Sequence, residues 1–552
     1  MFNKPSLFCC FKASAVLLAA SGACALAQAQ GAVQRLPVIS EATGATTRFT
    51  ISGFDVTGAN PFSPEASQQL LSPFITADGS LATLQKATET FEAALKDGGY
   101  PLHRVSLPPQ ELGGRVRLVV VKFVIGKIAV EGQKFFTEEN ILASLPELRS
   151  GEAPNFSTLA VQTAIGNENP SRQLQVSLKE STEPDKIDVK LLVKDARPWN
   201  LLLNLANTGS DATGQDRLAV VGSHVNLFGL DHQFSGAYTT SIERTSDVQQ
   251  LGLNYRVPLY VRGGVLGVSY TQSDVVGNFG SFSSTGAGQT YGINYYHYFA
   301  PVGGRRSYLS VALEEKIFDS SQPNNNPLAL GQPENISSRP LSVGYSARVE
   351  SDDALWGYNA ELVFNLPGGS GNSLTDYQNA TSGSLTPDLR LTTAHWKALR
   401  GGASYFAPLA SGWRWGWRGQ FQFSPDALIA GEQFGIGGSG SVRGTGERPL
   451  SGDSGVFSSL EVATPELRPG LRAIGFLDAG WLRNHRSELS ANKPASDQLV
   501  SVGLGLRYAM GNYGFSAEWG RVVKGSVLPS APGSGIPETG DEKIHINLNL
   551  RF

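Results

Sequence analysis

One arginine, Arg443, stands inside a run of glycine. Residues 431–446 read GEQFGIGGSGSVRGTG, seven glycines in sixteen positions. Such a run permits positive φ and close backbone approach but supplies no packing surface, so it is a loop, not the interior of a helix or strand. Arg443 has no acidic neighbour closer than Glu447. Two readings are open: an arginine on an exposed turn, or a buried or lumenal cation that needs a carboxylate partner. About thirty residues on, Leu471 to Trp481 alternates with the period of a strand. It sends Leu471, Ala473, Leu477, Ala479 and Trp481 one way, and Arg472, Ile474, Phe476 and Asp478 the other. Asp478 is therefore the candidate partner. The chemistry available to such a pair is bidentate, charge-assisted holding of a loop.

Catalytic chemistry finds no support. The seven histidines (His103, His224, His232, His297, His395, His485 and His545) are scattered and never fall in an HExxH pair or a similar ligand spacing. There is no GxxxxGK[ST] phosphate loop. Gly452-Asp453-Ser454-Gly455 resembles the nucleophile segment of trypsin-like proteases but lacks the following Gly-Pro, and a turn explains it equally well. The expectation is no catalytic residue, no metal, no cofactor and no nucleotide.

Composition narrows the class. The chain has 552 residues, 63 of them glycine, with 27 Phe, 16 Tyr and only two Met. That mixture suits many β-strands with aromatic girdles better than a helical protein. A formal net charge of −3 gives no basis for a nucleic-acid partner. Residues 1–29 read as a secretory signal: Lys4 and Lys12 precede the apolar run Ala13 to Ala20, and small residues lead to cleavage after Ala27 or Ala29. All three cysteines, Cys9, Cys10 and Cys24, lie in that segment, so the mature chain is expected to have no disulfide and no cysteine metal site. Cys24 is a poor lipidation site because Ser21-Gly22-Ala23 lacks the usual leucine. No long apolar stretch follows, so strands must carry any membrane role.

The elements that position the loop follow in order. Residues 30–48 form a short linker. Residues 49–121 read β-α-α-β-β: a strand from Phe49, helices over Ser63 to Leu71 and Leu81 to Lys96, and strands over Tyr100 to Val105 and Arg115 to Val124. Gly98-Gly99 stops the longer helix. Residues 122–196 repeat that order, with Thr137 as a helix cap, and suggest an internal structural repeat. From residue 197 to 552 helical spacing nearly disappears. Fifteen segments of about ten residues with period two, from Leu218–Leu227 to Lys543–Phe552, alternate with loops of very unequal length. In the last, Ile544, Ile546, Leu548, Leu550 and Phe552 oppose His545, Asn547, Asn549 and Arg551. Apolar rows of Tyr, Phe and Trp favour a closed membrane barrel over a soluble sandwich, and sixteen strands would give about 22 residues per strand plus loop.

A family resemblance rests on these motifs. Gly431-Glu432-Gln433-Phe434, Gly437-Gly438 and Ser441-Val442-Arg443-Gly444 resemble the sixth extracellular loop of two-partner secretion transporters (TpsB family, haemolysin secretion/activation type). Phe476-Leu477-Asp478-Ala479-Gly480 resembles that family's F-x-D-x-G motif. Asn207, Gly209, Thr213-Gly214, Asn226-Leu227, Gly229 and Asp231 resemble its opening barrel hairpin. The resemblance implies two α+β POTRA (polypeptide-transport-associated) domains in the periplasm, then a transmembrane β-barrel of sixteen antiparallel strands in the bacterial outer membrane. It implies export of one large unfolded client, adhesin- or cytolysin-like and β-helical, without ATP. Arg443 at the tip of an inward-folded loop would pair with Asp478 on the lumenal wall, Val442 and Gly444 flanking the arginine and Phe476 and Gly480 the aspartate. In a wet lumen that bond would add little to fold stability and serve to fix the loop. Two features depart from the family. Thr445 stands where an aromatic usually follows the glycine, and Gly31 to Arg48 is too short for both a plug helix and a linker. The alternatives are an assembly factor of the same superfamily, which a weak barrel seam would mark, a diffusion porin, which has no need of two soluble domains, and a membrane-bound hydrolase, for which the triad is missing.

Overall fold

Alternation of apolar and polar residues over long antiparallel segments leaves a sheet with two usable faces, and closing it removes the unpaired edges. The computed structural model describes residues 48–552 apart from 112–113, 212, 276, 280–281, 285–286, 320–334, 380–387, 491 and 531–533. The export signal, nearly all of the linker and the question of a plug helix fall in residues 1–47, outside the described residues.

Two small α/β units come first. In the first, Phe49–Gly58 pairs in parallel with Gly114–Lys122, which also pairs antiparallel with His103–Ser106. Helix Leu81–Asp97 opens with a capping box between Ser80 and Thr83 and buries Leu84, Ala87, Phe91 and Leu95 against that sheet. The expected β-α-α-β-β order gains one short edge strand, Thr76–Gly79, paired antiparallel with the first. Four polar or small residues give it no alternation to read. The second unit repeats the scheme: Val124–Glu131 runs parallel to Lys186–Asp195, which pairs antiparallel with Arg172–Glu180. Its helices are Glu138–Ala143, capped by Thr137, and Phe156–Gly166, capped by Asn155.

Sixteen antiparallel strands then close into a barrel, from Trp199–Ala206 to Glu542–Arg551. The first strand is absent from the fifteen alternating segments of the sequence reading. Its run Leu201-Leu202-Leu203 is apolar on both faces, which hides the period. Large apolar side chains cover the outer face, as Leu309, Val311 and Leu313 do on one strand and Ile544 and Ile546 on the last. Trp199, Trp413, Trp417 and Trp481 stand among them. The seam is a short ladder: five residue pairs, Leu202↔Arg551 to Ala206↔Asn547, against eight between the first two strands and thirteen between Leu471–Arg483 and Ser496–Met510. Asn207 lengthens it by side chain, donating to the Ile544 carbonyl at 2.7 Å and accepting from the Ile546 amide at 2.7 Å.

The second α/β unit is fastened to the barrel by a buried ion pair. Arg172 donates to both carboxylate oxygens of Asp231, at 3.0 and 2.8 Å, and Tyr260 donates to the same carboxylate at 2.7 Å. The Arg172 and Asp231 side chains are 0% and 2% exposed. Asn140 donates to the Gly229 carbonyl at 2.6 Å and Asn169 to the Val225 carbonyl at 2.8 Å. Asn226, Gly229 and Asp231 of the opening hairpin thus form the floor on which this unit sits. Removing one partner of a dry pair strands the other, at a cost of about 3–5 kcal/mol. Arg172→Ala is therefore expected to loosen the unit from an intact barrel. Faster proteolysis between residues 195 and 199, with unchanged heat-modifiable migration of the barrel, would show this; equal proteolysis would count against it.

Candidate functional site

Between strands Arg414–Phe423 and Ser454–Ala463 the chain leaves the rim opposite the α/β units and folds back into the bore. Its two arms pair over Phe434–Ile436 and Leu450–Gly452. Ile436, Val442 and Leu450 pack with Phe457, Leu482, Leu499 and Val522 of the wall. Burial of these apolar groups is what glycine alone could not supply.

At the tip, Arg443 is 1% exposed, which removes the surface-turn reading. Its Nε and Nη2 donate to the two oxygens of Asp478 at 2.7 and 2.8 Å, and its backbone amide adds a third bond to Asp478 at 3.1 Å. Nη1 reaches Glu518 at 2.7 Å and Glu461 at 3.2 Å. Ser459 Oγ accepts from Nη2 at 3.2 Å and donates to Asp478 at 2.6 Å. Arg507 braces the same two glutamates, at 2.7 Å to Glu518 and 2.5 and 2.8 Å to Glu461. The guanidinium carbon lies 3.4 Å from the centre of the Phe476 ring, a cation–π contact.

The motif residues have distinct parts in this. Phe476 is the plate beneath the arginine and Asp478 the fork that receives it. Gly480 leaves the room that Ile436 fills, since a Cβ there would come within 2.9 Å of it. Gly444, at φ +93°, lies so flat on the wall that a Cβ would meet the Gly520 backbone at 2.8 Å, and its amide donates to His545 Nε2 at 3.0 Å. Thr445 accepts from the Gly438 amide at 3.0 Å and closes the tip turn by hydrogen bonding. Gly437 and Gly438 are the left-handed corner of that turn, at φ +105° and +99°. Val442 is fully buried.

The loop's approach is equally ordered. Gly431 lies against the Phe318 ring. Gln433 donates to Asp453 at 3.0 Å and accepts from Lys493 at 2.6 Å. Phe434 is half-buried. The segment Gly452-Asp453-Ser454-Gly455, expected to be a turn, is a bend between two strands, and Asp453 is fully buried. It accepts the amides of Leu428 and His485 at 2.9 and 2.8 Å, so its carboxylate organises the loop base.

Several participants were not foreseen. Glu461, Glu518, Ser459, Arg507 and His545 surround the tip, and Glu432, Lys316 and Arg400 meet at the base. The alternation of the last strand put His545 on the polar face, and that was its only signal. Glu432 was part of the motif, but its cations lie far away in sequence. The wet lumen expected around Arg443 is also corrected: the Arg443 and Asp478 side chains are 1% and 0% exposed, so breaking the pair costs far more than breaking a surface bridge.

Below the loop a cavity of about 2400 Å³ connects the second α/β unit to the bore. It is lined by Gln173, Gln175 and Leu178 of the edge strand, by Arg400–Ser404 and Arg418–Gln422 of the wall, and by Phe434 and Phe457.

Comparison with known proteins gives the following. A family model described as haemolysin secretion/activation protein ShlB/FhaC/HecB matches residues 185–508, more than half of the chain. One described as POTRA domain, ShlB-type, matches residues 49–122. The outer membrane transporter CdiB of Dickeya dadantii (strain 3937) is 27% identical over 401 residues, covering 71% of this chain and 68% of that protein. CdiB of Escherichia coli is 23% identical over 450 residues, covering 79% and 73%. Among solved structures, CdiB from Escherichia coli superposes with a TM-score of 0.67 at 20% identity, covering 94% of this chain and 93% of that one. CdiB from Acinetobacter baumannii gives 0.65 at 17% identity, covering 96% and 95%. At these identities the structural likeness shows the fold.

Two outcomes are expected from the tip geometry. Arg443→Ala and Asp478→Ala should each lower the thermal midpoint of the folded barrel, and the double variant should be less than additive, since both remove one interaction; additive losses would uncouple the two residues. Gly520→Ala, which alters no charge, should push the tip off the wall and expose a Ser439→Cys thiol to a membrane-impermeant maleimide faster than in the parent. Unchanged labelling would mean the Gly444–Gly520 contact does not hold the tip.

Proposed function

The chain belongs to the ShlB/FhaC/HecB family of haemolysin secretion/activation proteins, two-partner secretion transporters of the outer membrane, and from that premise we propose that it exports one dedicated client as an unfolded polypeptide, without ATP, through the barrel bore. The POTRA units lie in the periplasm. The observation that supports the proposal is a loop clamped by Arg443 that crosses the bore above a cavity opening along the POTRA edge strand Arg172–Glu180, which we read as a movable barrier over an entry chamber.

That strand bonds on one side only, since the sheet order places Lys186–Asp195 in the centre. An extended client segment would add to the free edge by backbone hydrogen bonds, which ask little of client sequence. It would then pass the loop once Arg443 leaves Asp478. Folding outside supplies direction, because a folded chain cannot thread back through the bore. A client that folds only outside would also become active only outside, which would join secretion to activation. The client is a large secreted protein, adhesin- or cytolysin-like and β-helical.

A second reading, assembly of other barrels, is favoured by the short seam of five residue pairs. Against it stands the side-chain closure by Asn207, which adds two bonds where the ladder ends.

Co-expression with a candidate client decides between them. The parent should release client into the medium, and Arg443→Ala should abolish or sharply reduce release while the barrel still inserts. A photo-crosslinker at Gln175 should capture client in transit. Normal release by Arg443→Ala would remove the clamp from the mechanism, and an absence of client outside with the parent would favour the assembly reading.

A further inference from the structure

The loop is fastened at its base as firmly as at its tip, by groups that share nothing with the Arg443 cluster. Glu432, where the chain turns into the bore, has a side chain 1% exposed. It accepts from Arg400 Nη2 at 2.8 Å, from Lys316 Nζ at 3.2 Å and from Ser338 Oγ at 2.7 Å. Its carbonyl accepts from Gln422 Nε2 at 3.0 Å. These partners stand on Arg305–Phe318, Ile336–Ser338, Lys397–Pro408 and Arg414–Phe423. Asp478, Glu461, Ser459 and Glu518 stand on Leu471–Arg483, Ser454–Ala463 and Tyr513–Lys524. The two sets occupy different sectors of the wall, with the loop strung between them.

Packing separates the ends further. Just before Glu432, Leu428 and Ile429 join Val363 of strand Leu355–Asn365 and Tyr377 and Trp396 in an apolar cluster at the extracellular rim. The tip has glycine on both sides of its contact, Gly444 against Gly520. A carboxylate shared by two cations, with its remaining capacity filled by a hydroxyl, is costly to expose and loses nothing when Arg443 moves.

We propose that Glu432, held by Arg400 and Lys316, is a second and independent anchor, the fixed pivot about which the loop swings when its tip is released, so that the base stays at the rim while residues 434–452 move. This rests on the reading of the loop as a movable barrier but needs no client to be tested. Glu432 is a positioning residue: it acts through the loop segment it holds.

The test uses spin-label distances in the full chain, reconstituted in nanodiscs. Residues 25–552 contain no cysteine, so introduced ones are unique there. A common reference, Gln272→Cys, sits on Gly264–Ser273, a strand in neither cluster. Paired with Ser439→Cys it reports the tip, and with Ala430→Cys the base. Arg443→Ala should lose the narrow tip distance and keep the narrow base distance. Adding Glu432→Gln should lose the base distance as well, and Glu432→Asp in its place should restore it, which a general loosening of the fold would not do. Loss of the base distance with Arg443→Ala alone, or its retention in Arg443→Ala with Glu432→Gln, overturns the anchor. Heat-modifiable migration shows whether each barrel has closed; if Glu432→Gln does not close, Arg400→Gln carries the same comparison. If the tip distance stays narrow in Arg443→Ala, the movable-barrier reading fails, while the effect of Glu432→Gln on the base distance still decides the anchor.

Discussion

A guanidinium taken out of water must find carboxylates, and the position of the inner loop's tip depends on that requirement at Arg443. Its side chain receives Asp478 as a fork, Glu518 and Glu461 at one end, and the Phe476 ring beneath. Each contact compensates for lost hydration, and none survives displacement of the loop by more than a few ångströms. Separation leaves a cation and an anion together in a poorly hydrated place. With the loop read as a barrier, as proposed above, it stays closed unless something else satisfies both charges, whether water entering a widened bore or backbone groups of a passing chain. A hydrophobic plug of the same size would be held without this condition, and its release would have no comparable chemical trigger.

The same physics recurs where the second POTRA unit meets the barrel. Arg172 and Asp231 are as dry as the pair in the bore, and they fix the cavity under the loop. A purely apolar contact could slide; a bidentate pair flanked by Asn140, Asn169 and Tyr260 has one geometry. The outer-membrane transporter thus turns apolar surface to lipid, to the POTRA cores and to the packing of the loop on the wall, and spends buried charge on register: periplasmic unit against barrel, loop tip against wall, loop base against rim.

Much of this was legible residue by residue. The parity of Leu471 to Trp481 placed Asp478 on the face away from Leu477 and Trp481, and the barrel has it there, fully buried. The last strand read cleanly because Ile544, Ile546 and Leu548 alternate without interruption. The first strand did not, because a strand with leucines on both faces has no period to detect. Thr76–Gly79 was too short and polar to register. Asp453 looked like a turn residue because its partners, the amides of Leu428 and His485, are backbone groups that no side-chain pattern advertises.

The sequence by itself determined the class of the molecule: strand-period alternation with aromatic belts makes a membrane barrel, two β-α-α-β-β units precede it, and an arginine in a glycine run needs a carboxylate if it is buried. These are local properties, written in spacing along the chain. Only the tertiary structure decided how many carboxylates Arg443 meets, that the site is dry, and that Glu432 finds Lys316 and Arg400. Those facts depend on which strands closure makes neighbours, and pairing register across a barrel is set by the whole sheet at once, so residues more than one hundred positions apart come together with no trace in the sequence between them.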